Sequence, residues 1–144
     1  MQTFILYRDI ERTAEVLDTK RLGKQRVEAI QIARKLLDFD KGKGWCNHPA
    51  VKMWKNYEPY LVKIYIRNIM DEWILRGYRN DKCEKHWFIL MKHKLVENVK
   101  PIIPVWITWE FCRSHKSNLV RKFPEHYRKY FPDVPNNLQY VWPR

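Results

Sequence analysis

Between residues 19 and 37, apolar side chains recur every three or four positions, which is the spacing of one face of an α-helix. They are Leu22, Ala29, Ile30, Ala33, Leu36 and Leu37. We therefore predict a helix from about Thr19 to Leu37. The segment that follows, residues 38–44, contains Gly42 and Gly44 and is expected to end this helix, because glycine gives the backbone the freedom that a turn requires.

The rest of the chain gives further helical signals and few signs of strands. A brief helix is predicted over residues 10–17, a helix start with proline in its first turn at 47–50, and a helix from Pro59 to a glycine stop at Gly77. Further helices are predicted over about 83–96, 114–120 and 124–131, whereas residues 106–111 fit helix or strand. Pro101 and Pro104 require an extended or turning segment. The sequence thus predicts an all-α, compact single-domain helical bundle over residues 1–144, with irregular N- and C-terminal segments.

The net charge of the chain limits the classes of partner that we expect it to bind. It has 28 Lys and Arg residues against 16 Asp and Glu residues, a formal net charge of +12, while 45% of its residues are hydrophobic. So many apolar residues exclude a disordered chain. The excess of cations favours a polyanion, which would be a nucleic acid, an anionic membrane surface or another acidic macromolecule. A basic protein with a solvated surface is the alternative.

The cysteines and the apolar runs indicate where such a protein resides. Cys46, Cys83 and Cys112 are far apart, form no CxxC pair and have no zinc-ligand spacing with histidine. We therefore expect reduced thiols, no metal and no disulfide framework. The N-terminus lacks the apolar run of a signal peptide, and no apolar segment approaches about 20 residues. These features predict an intracellular protein that does not span a membrane.

A single carboxylate stands among cations in the long predicted helix. Lys20, Arg21, Lys24 and Arg26 precede Glu28, the only acidic residue between Asp18 and Asp38. Residues four apart share a helix face, so Lys24 and Glu28 could form an ordinary surface pair. Alternatively, the surrounding cations keep Glu28 ionised, which suits a proton acceptor or an electrostatic partner for a cationic intermediate.

A second basic segment covers residues 113–122, and aromatic residues follow it. Cations mixed with small polar side chains suit phosphate contacts, and nearby aromatic rings suit stacking against bases or an extruded base. The side chains predicted to contact nucleic acid here are His115, Lys116, Asn118, Arg121, Lys122, Tyr127 and Tyr130. His48, at a predicted helix start, could line the same face or simply cap the helix.

Three segments together resemble the pyrimidine-dimer DNA glycosylase family, small phage-type enzymes that cut at ultraviolet lesions and also cleave abasic sites. Residues 18–28 resemble the family's Arg–Glu catalytic helix. Residues 47–54, continuing to Gly77 and Tyr78, resemble its central histidine-containing segment and the long helix that follows. Residues 114–131 resemble its basic, tyrosine-rich C-terminal segment. These segments cover somewhat more than half of the chain.

The resemblance implies an all-helical, cofactor-free enzyme that flips a base and attacks the sugar with an amine. In this family the N-terminal α-amine forms an imine with the deoxyribose, and a glutamate assists β-elimination. The matching glutamate here is Glu28, with Arg26 beside it, although Val27 separates the two and turns the carboxylate about 100° around the helix. Gln2 is too bulky for ordinary methionine removal, so the amine is expected on Met1; the α-amine of Gln2 and the side chains of two lysines (Lys20 and Lys24) are the alternatives.

The leading hypothesis is therefore a monomeric DNA repair glycosylase and abasic-site lyase that acts on double-stranded DNA, with pyrimidine dimers as its expected lesion. Its DNA face would include Lys20, Arg21, Lys24, Arg26 and His48 in addition to the second basic segment. One rival hypothesis is a nucleic-acid-binding protein that keeps the scaffold without the chemistry. Another is a glycosylase for a modified base or nucleoside.

Overall fold

The computed structural model describes residues 1–40 and 46–143, and this part of the chain is helical without β-strands. Its elements are α1 (Ile10–Val16), α2 (Thr19–Leu36), α3 (Pro49–Lys52), α4 (Glu58–Tyr60), a π-helical segment (Leu61–Ile66), α5 (Arg67–Leu75), α6 (Asp81–Met91), α7 (Trp109–Lys122) and α8 (Pro124–Tyr127). The predicted all-α class is confirmed.

Helix α2 is the element around which α3, α5, α6 and the π-helical segment pack. Asp18 caps its N-terminus, since the carboxylate accepts a hydrogen bond from the backbone N–H of Arg21 at 3.3 Å. Its observed end at Leu36 agrees with the prediction to one residue. Asp38 follows with a left-handed φ of 65°. The rest of the predicted glycine stop, residues 41–44, lies outside the described residues.

A second long helix runs without interruption over residues 58–75 and consists of α4, the π-helical segment and α5. It has Pro59 in its first turn, as predicted, and Gly77 follows its end with a left-handed φ of 95°. The π-helical turns were not predicted, because the apolar spacing is too coarse to distinguish one widened turn. They carry Tyr65, which is completely buried.

Three predicted ranges differ from the structure. Helix α6 ends at Met91 because the chain then folds into turns, in which the N–H of Val96 bonds to the carbonyl of His93. The side chain of Thr108 accepts a hydrogen bond from the N–H of Phe111 at 3.1 Å, so α7 begins at Trp109 and includes part of the segment that fitted helix or strand. Helix α8 ends at Tyr127, and turns follow it.

The core encloses the first residues of the chain, which belong to no helix or strand. Phe4, Ile5 and Leu6 are buried with Trp54 and Tyr65 in one apolar cluster. A buried segment outside helices and sheets needs partners for its backbone groups, and side chains supply several of them here. Among residues 1–40 and 46–143, no helix is long and apolar enough to cross a membrane.

Candidate active site

Gln25, on α2, holds the N-terminal segment in place. Its Nε2 donates a hydrogen bond to the carbonyl oxygen of Gln2 at 2.7 Å, and its Oε1 accepts one from the N–H of Phe4 at 2.9 Å. The hydroxyl of Tyr65 lies 2.6 Å from the same Oε1 and 2.9 Å from the carbonyl oxygen of Phe4. Gln25 is only 2% exposed, so inside the core its side chain satisfies backbone groups that a neighbouring strand would satisfy in a sheet.

Two other buried side chains fix the same segment. His115 Nδ1 accepts a hydrogen bond from the N–H of Ile5 at 3.1 Å, and Trp54 Nε1 donates one to Thr3 Oγ1 at 3.0 Å. These contacts come from α7 and from the turn after α3. The first residues of the chain are therefore held from several sides.

A cleft of about 290 Å³ opens where the N-terminal segment meets α2, and we name it the Glu28 cleft. Its walls are Met1, Gln2 and Phe4 from the N-terminal segment, Lys20, Arg21, Lys24, Gln25 and Glu28 from α2, Lys122 from the end of α7, and Tyr140 from the C-terminal tail. Glu28 stands one helical turn after Gln25, so α2 presents the carboxylate beside the segment that it anchors. The structure thus places Met1 and Glu28 in the same cleft.

The carboxylate of Glu28 has no hydrogen-bond or salt-bridge partner among the residues that the structure describes. The surface pair with Lys24, which the spacing allowed, is therefore absent from this conformation. The negative charge of Glu28 still influences its neighbours. After burial, it is the second cause that raises the pKa of Tyr65 well above its usual value. A half-buried, unpaired carboxylate surrounded by cations is available to a reacting group.

Lys122 is the cation that the C-terminal end of α7 contributes to the Glu28 cleft. Its Nζ lies 3.5 Å from the hydroxyl of Tyr140. Partial burial is the main cause that lowers the pKa of Lys122, and the positive charges of Arg21, Arg121 and Lys24 lower it further, while Glu28 opposes them. Burial likewise raises the pKa of Tyr140, so its hydroxyl stays neutral beside the amine.

His48 lies close to the start of the chain. Its Nδ1 accepts a hydrogen bond from the N–H of Ala50 at 3.0 Å, which caps α3, and its ring packs edge-on to Trp142 at 6.2 Å. Burial lowers the pKa of His48, and the N-terminal ammonium lowers it further. The Nδ1 atom of His48 thus caps α3, which was one of the two alternatives for this residue. The effect of the N-terminal ammonium on its pKa indicates that the ring also lies near the start of the chain.

Arg26 points away from the Glu28 cleft, toward α6. Its Nη1 donates to Asn80 Oδ1 and Cys83 Sγ, both at 2.9 Å, and its guanidinium lies 4.7 Å from the centre of the Trp73 ring. Arg26 and Glu28 are two positions apart and so lie on different sides of α2. In this structure Arg26 makes packing contacts between α2, α5 and α6, and its expected contact with phosphate stays a prediction.

A second depression, of about 520 Å³, flanks Glu28 on the side of Trp73. A Cβ on Gly23 would stand 2.9 Å from the Trp73 ring, so the glycine lets this ring lie directly against α2. The Trp73 ring also stacks on Tyr78, with 4.3 Å between centroids. Glu28 thus lies at the boundary between a polar cleft and an aromatic surface.

The small polar residues of α7 bind the C-terminal tail. Ser114 Oγ accepts a hydrogen bond from the N–H of Val141 at 3.2 Å, and Ser117 Oγ accepts one from the N–H of Leu138 at 3.0 Å. Asn118 Nδ2 donates to the carbonyl oxygen of Leu138 at 3.3 Å. These contacts, one helical turn apart, fix the tail along α7 and bring Tyr140 to the Glu28 cleft.

Three of the side chains that were expected to contact DNA are enclosed. His115 and Tyr127 are 0% exposed and Asn118 is 3% exposed. The Tyr127 hydroxyl donates to the Asp18 carboxylate and accepts from the N–H of Asp18. Burial is the main cause that lowers the pKa of His115 to about 3, so this ring is neutral. In this structure these three side chains support the N-terminal segment, α2 and the tail, and their direct contact with DNA stays a prediction.

The other predicted contacts of this segment are more accessible. The Nζ of Lys116 lies between the rings of Tyr7 and Phe131, at 4.6 and 5.2 Å from their centres. Arg121 is exposed and donates to the carbonyl oxygen of Asn136 at 3.0 Å. Tyr130 is also exposed. Their role in DNA binding stays a prediction.

Two residues central to the site were missed by the sequence analysis. Gln25 shares the apolar face of α2 with Leu22 and Ala29, and a polar side chain in that position is a signal that could have been noticed. Tyr140 gave no local signal, because only the docking of the tail brings it to the cleft. Among the described residues, no group of three or more His, Cys, Asp or Glu side chains could hold a metal ion.

The helical scaffold places Met1, the carboxylate of Glu28 and several cations in one cleft, and a cationic cleft suits a polyanionic partner. The family model described as pyrimidine dimer DNA glycosylase matches residues 1–85, more than half of the chain. The chain belongs to this family, whose description supports a glycosylase type of DNA repair function and DNA binding. Met1 and Glu28 lie inside the matched range, whereas Lys122 and Tyr140 lie beyond it. Searches of curated proteins and of solved structures each found no match.

Proposed function

We propose that the protein is a DNA glycosylase with abasic-site lyase activity that acts on double-stranded DNA, with the pyrimidine dimer as its lesion. The observation that supports this proposal is the unpaired carboxylate of Glu28 in the same cleft as Met1. The proposed enzyme works as a monomer.

The α-amine of Met1 is the proposed nucleophile. The attack requires the neutral form of this amine, because only that form has a free lone pair. Its lone pair attacks C1′ of the damaged nucleotide, and the bond from C1′ to the base breaks with its electron pair on the base, which takes up a proton. The bond between C1′ and the ring oxygen then breaks with its electron pair on that oxygen, which takes the remaining proton of the attached nitrogen. An imine is left between the amine and the opened sugar.

Glu28 has two successive roles in this scheme. Its negative charge stabilises the cationic sugar while the base departs. It then accepts the proton from C2′ of the imine, and the bond from C3′ to oxygen breaks with its electron pair on the departing phosphate. Both roles need a carboxylate that no lysine or arginine holds, which is the state of Glu28 in the structure.

The cations of α2 would hold the DNA backbone around the lesion. Lys20, Arg21 and Lys24 line the same cleft, so phosphates on either side of a flipped nucleotide would meet positive charge. A nucleotide inside a duplex must be extruded before an amine can reach C1′, and extrusion is easiest at a damaged, poorly stacked step.

Borohydride reduction tests the imine directly. The protein is mixed with duplex DNA that contains either a pyrimidine dimer or an abasic site, and the reductant should convert the imine into a stable protein–DNA adduct. Intact mass of the purified protein shows whether Met1 carries a free amine, and peptide mapping locates the adduct. Salt-sensitive DNA binding without an adduct or strand cleavage on either substrate would favour a binding protein and contradict the proposed chemistry.

A further inference from the structure

We propose that Lys122 is a second imine-forming amine of the Glu28 cleft, used on the aldehyde of an abasic site. This inference rests on the proposed function but concerns a different nitrogen atom. Lys122 is the last residue of α7 and lies beyond the part of the chain that the family model matches. It lines the cleft together with Met1 and Glu28.

The position of Lys122 is built by several elements. Its Nζ lies 5.7 Å from the centre of the Phe4 ring and 5.9 Å from that of Tyr140, with the Tyr140 hydroxyl at 3.5 Å. Phe4 belongs to the segment that Gln25 anchors, and Tyr140 belongs to the tail that α7 binds. The amine therefore occupies a defined position between two fixed rings.

The surroundings of Lys122 favour the neutral amine that an imine requires. Within the described part of the chain, no carboxylate lies within 4 Å of its Nζ. Partial burial and the nearby charges of Arg21, Arg121 and Lys24 lower its pKa, and only Glu28 acts in the opposite direction. The C-terminal end of a helix favours the charged form, but this effect is weak where solvent reaches the side chain.

Lys122 differs from the other lysines of the Glu28 cleft in its contacts with aromatic rings. Lys20 and Lys24 line it from α2, whereas the ammonium of Lys122 lies over the faces of Phe4 and Tyr140. The faces of these two rings attract the ammonium and so hold Nζ in place. Partial burial and the neighbouring positive charges favour the neutral form. We therefore assign the second amine to Lys122.

The step balances as a condensation. The lone pair of Nζ forms a bond to C1′ of the open-chain aldehyde, and the aldehyde oxygen leaves as water with both hydrogens of the neutral amine. The imine takes one proton from solvent. Glu28 then accepts the C2′ proton, and the bond between C3′ and oxygen breaks with its electron pair on the phosphate. No oxidant, reductant or metal is required for cleavage.

The experiment separates the two amines by blocking one of them. Protein whose α-amine is acetylated, and untreated protein, are each incubated with an abasic-site duplex and borohydride, and the adducts are digested and mapped by mass spectrometry. The same pair of samples is prepared for Lys122→Arg, whose guanidinium stays protonated and cannot form the imine. Lys129→Arg is the matched control, because the Nζ of Lys129 also lies against a ring, at 5.2 Å from the centre of Tyr130, but outside the cleft.

We expect the acetylated protein to keep an adduct on Lys122, and this adduct to be lost in Lys122→Arg but retained in Lys129→Arg. The proposal is overturned if the acetylated protein forms no adduct, or if its adduct maps to another lysine. An adduct on the α-amine of untreated protein would leave the proposed function standing in either of those cases. Absence of any adduct on untreated protein would instead reject the proposed function itself.

Discussion

The side-chain amide of Gln25 donates a 2.7 Å hydrogen bond to the carbonyl oxygen of Gln2. This contact ties the start of the chain to the helix that carries Glu28 one turn later. The same helix therefore anchors the proposed nucleophile and presents the proposed base. This contact limits the motion of the chain start relative to Glu28, and preorganised catalysis requires such restriction.

Gln25→Leu should weaken both stability and activity. The substitution leaves the N–H of Phe4 and the carbonyl of Gln2 without their partner, and each buried group left unpaired costs about 1–3 kcal/mol. Urea unfolding should show the loss, and adduct formation per folded molecule should fall because Met1 is no longer held. Gln31→Leu, at an exposed position of α2, is the control and should change neither quantity.

Glu28→Gln should slow strand cleavage by about 10²–10⁴-fold, because glutamine cannot accept the C2′ proton. DNA affinity should stay equal or rise slightly, since the substitution removes a negative charge from a cationic cleft. Single-turnover cleavage and a binding titration on the same abasic duplex measure the two effects. Glu110→Gln, at an exposed position in the first turn of α7, serves as the control. Wild-type cleavage by Glu28→Gln would remove this residue from the mechanism.

Lys20→Gln should reduce the salt dependence of DNA binding. Each phosphate contact contributes a slope of about −0.9 to a plot of log affinity against log salt concentration. Loss of the Lys20 contact should therefore make the slope shallower by about 0.9, as measured by fluorescence anisotropy over a salt series. Lys92→Gln, an exposed cation at the end of α6, should leave the slope unchanged. Equal slopes for both variants and wild type would mean that Lys20 faces no phosphate.

His115 should make the protein less stable at acidic pH. Its pKa is about 3 in the folded state against an ordinary value of 6.5, mainly because of burial. The unfolded chain therefore binds a proton more readily than the folded protein between those values, so stability is lost as pH falls through this range. His115→Gln keeps an acceptor for the N–H of Ile5 but does not titrate. Urea unfolding at neutral pH and near pH 4.5 should show a smaller acid-induced loss in the variant than in wild type.

Tyr127→Phe should destabilise the fold and leave DNA affinity unchanged. The hydroxyl is buried and holds both the carboxylate and the N–H of Asp18, the residue that caps α2. Its removal should cost about 1–3 kcal/mol in urea unfolding. Tyr130→Phe, at an exposed position, should be neutral for stability. Weaker DNA binding by Tyr127→Phe without loss of stability would instead support direct contact with DNA.

Local patterns in the sequence were sufficient to predict most of the helices. The apolar spacing after Thr19 predicted α2 to one residue at its end, and Gly77 marked the end of the long helix. The segment around His115 shows where such patterns fail. Small polar and basic residues suit phosphate contacts, but the same side chains also satisfy buried backbone groups. The choice between these roles depends on which segment packs against α7, and residues distant in the chain determine that.

The sequence by itself determined that the chain is helical, basic and equipped with a lone glutamate among cations, because these properties arise from composition and from spacing within one segment. Only the tertiary structure decided which groups meet. Met1, Glu28, Lys122 and Tyr140 come from the start, the second helix, the seventh helix and the tail, and they line one cleft. Arg26 is only two residues from Glu28 but contacts Asn80 and Cys83 at the start of α6. Proximity in the folded chain depends on long-range packing, for which the spacing within a segment carries no information.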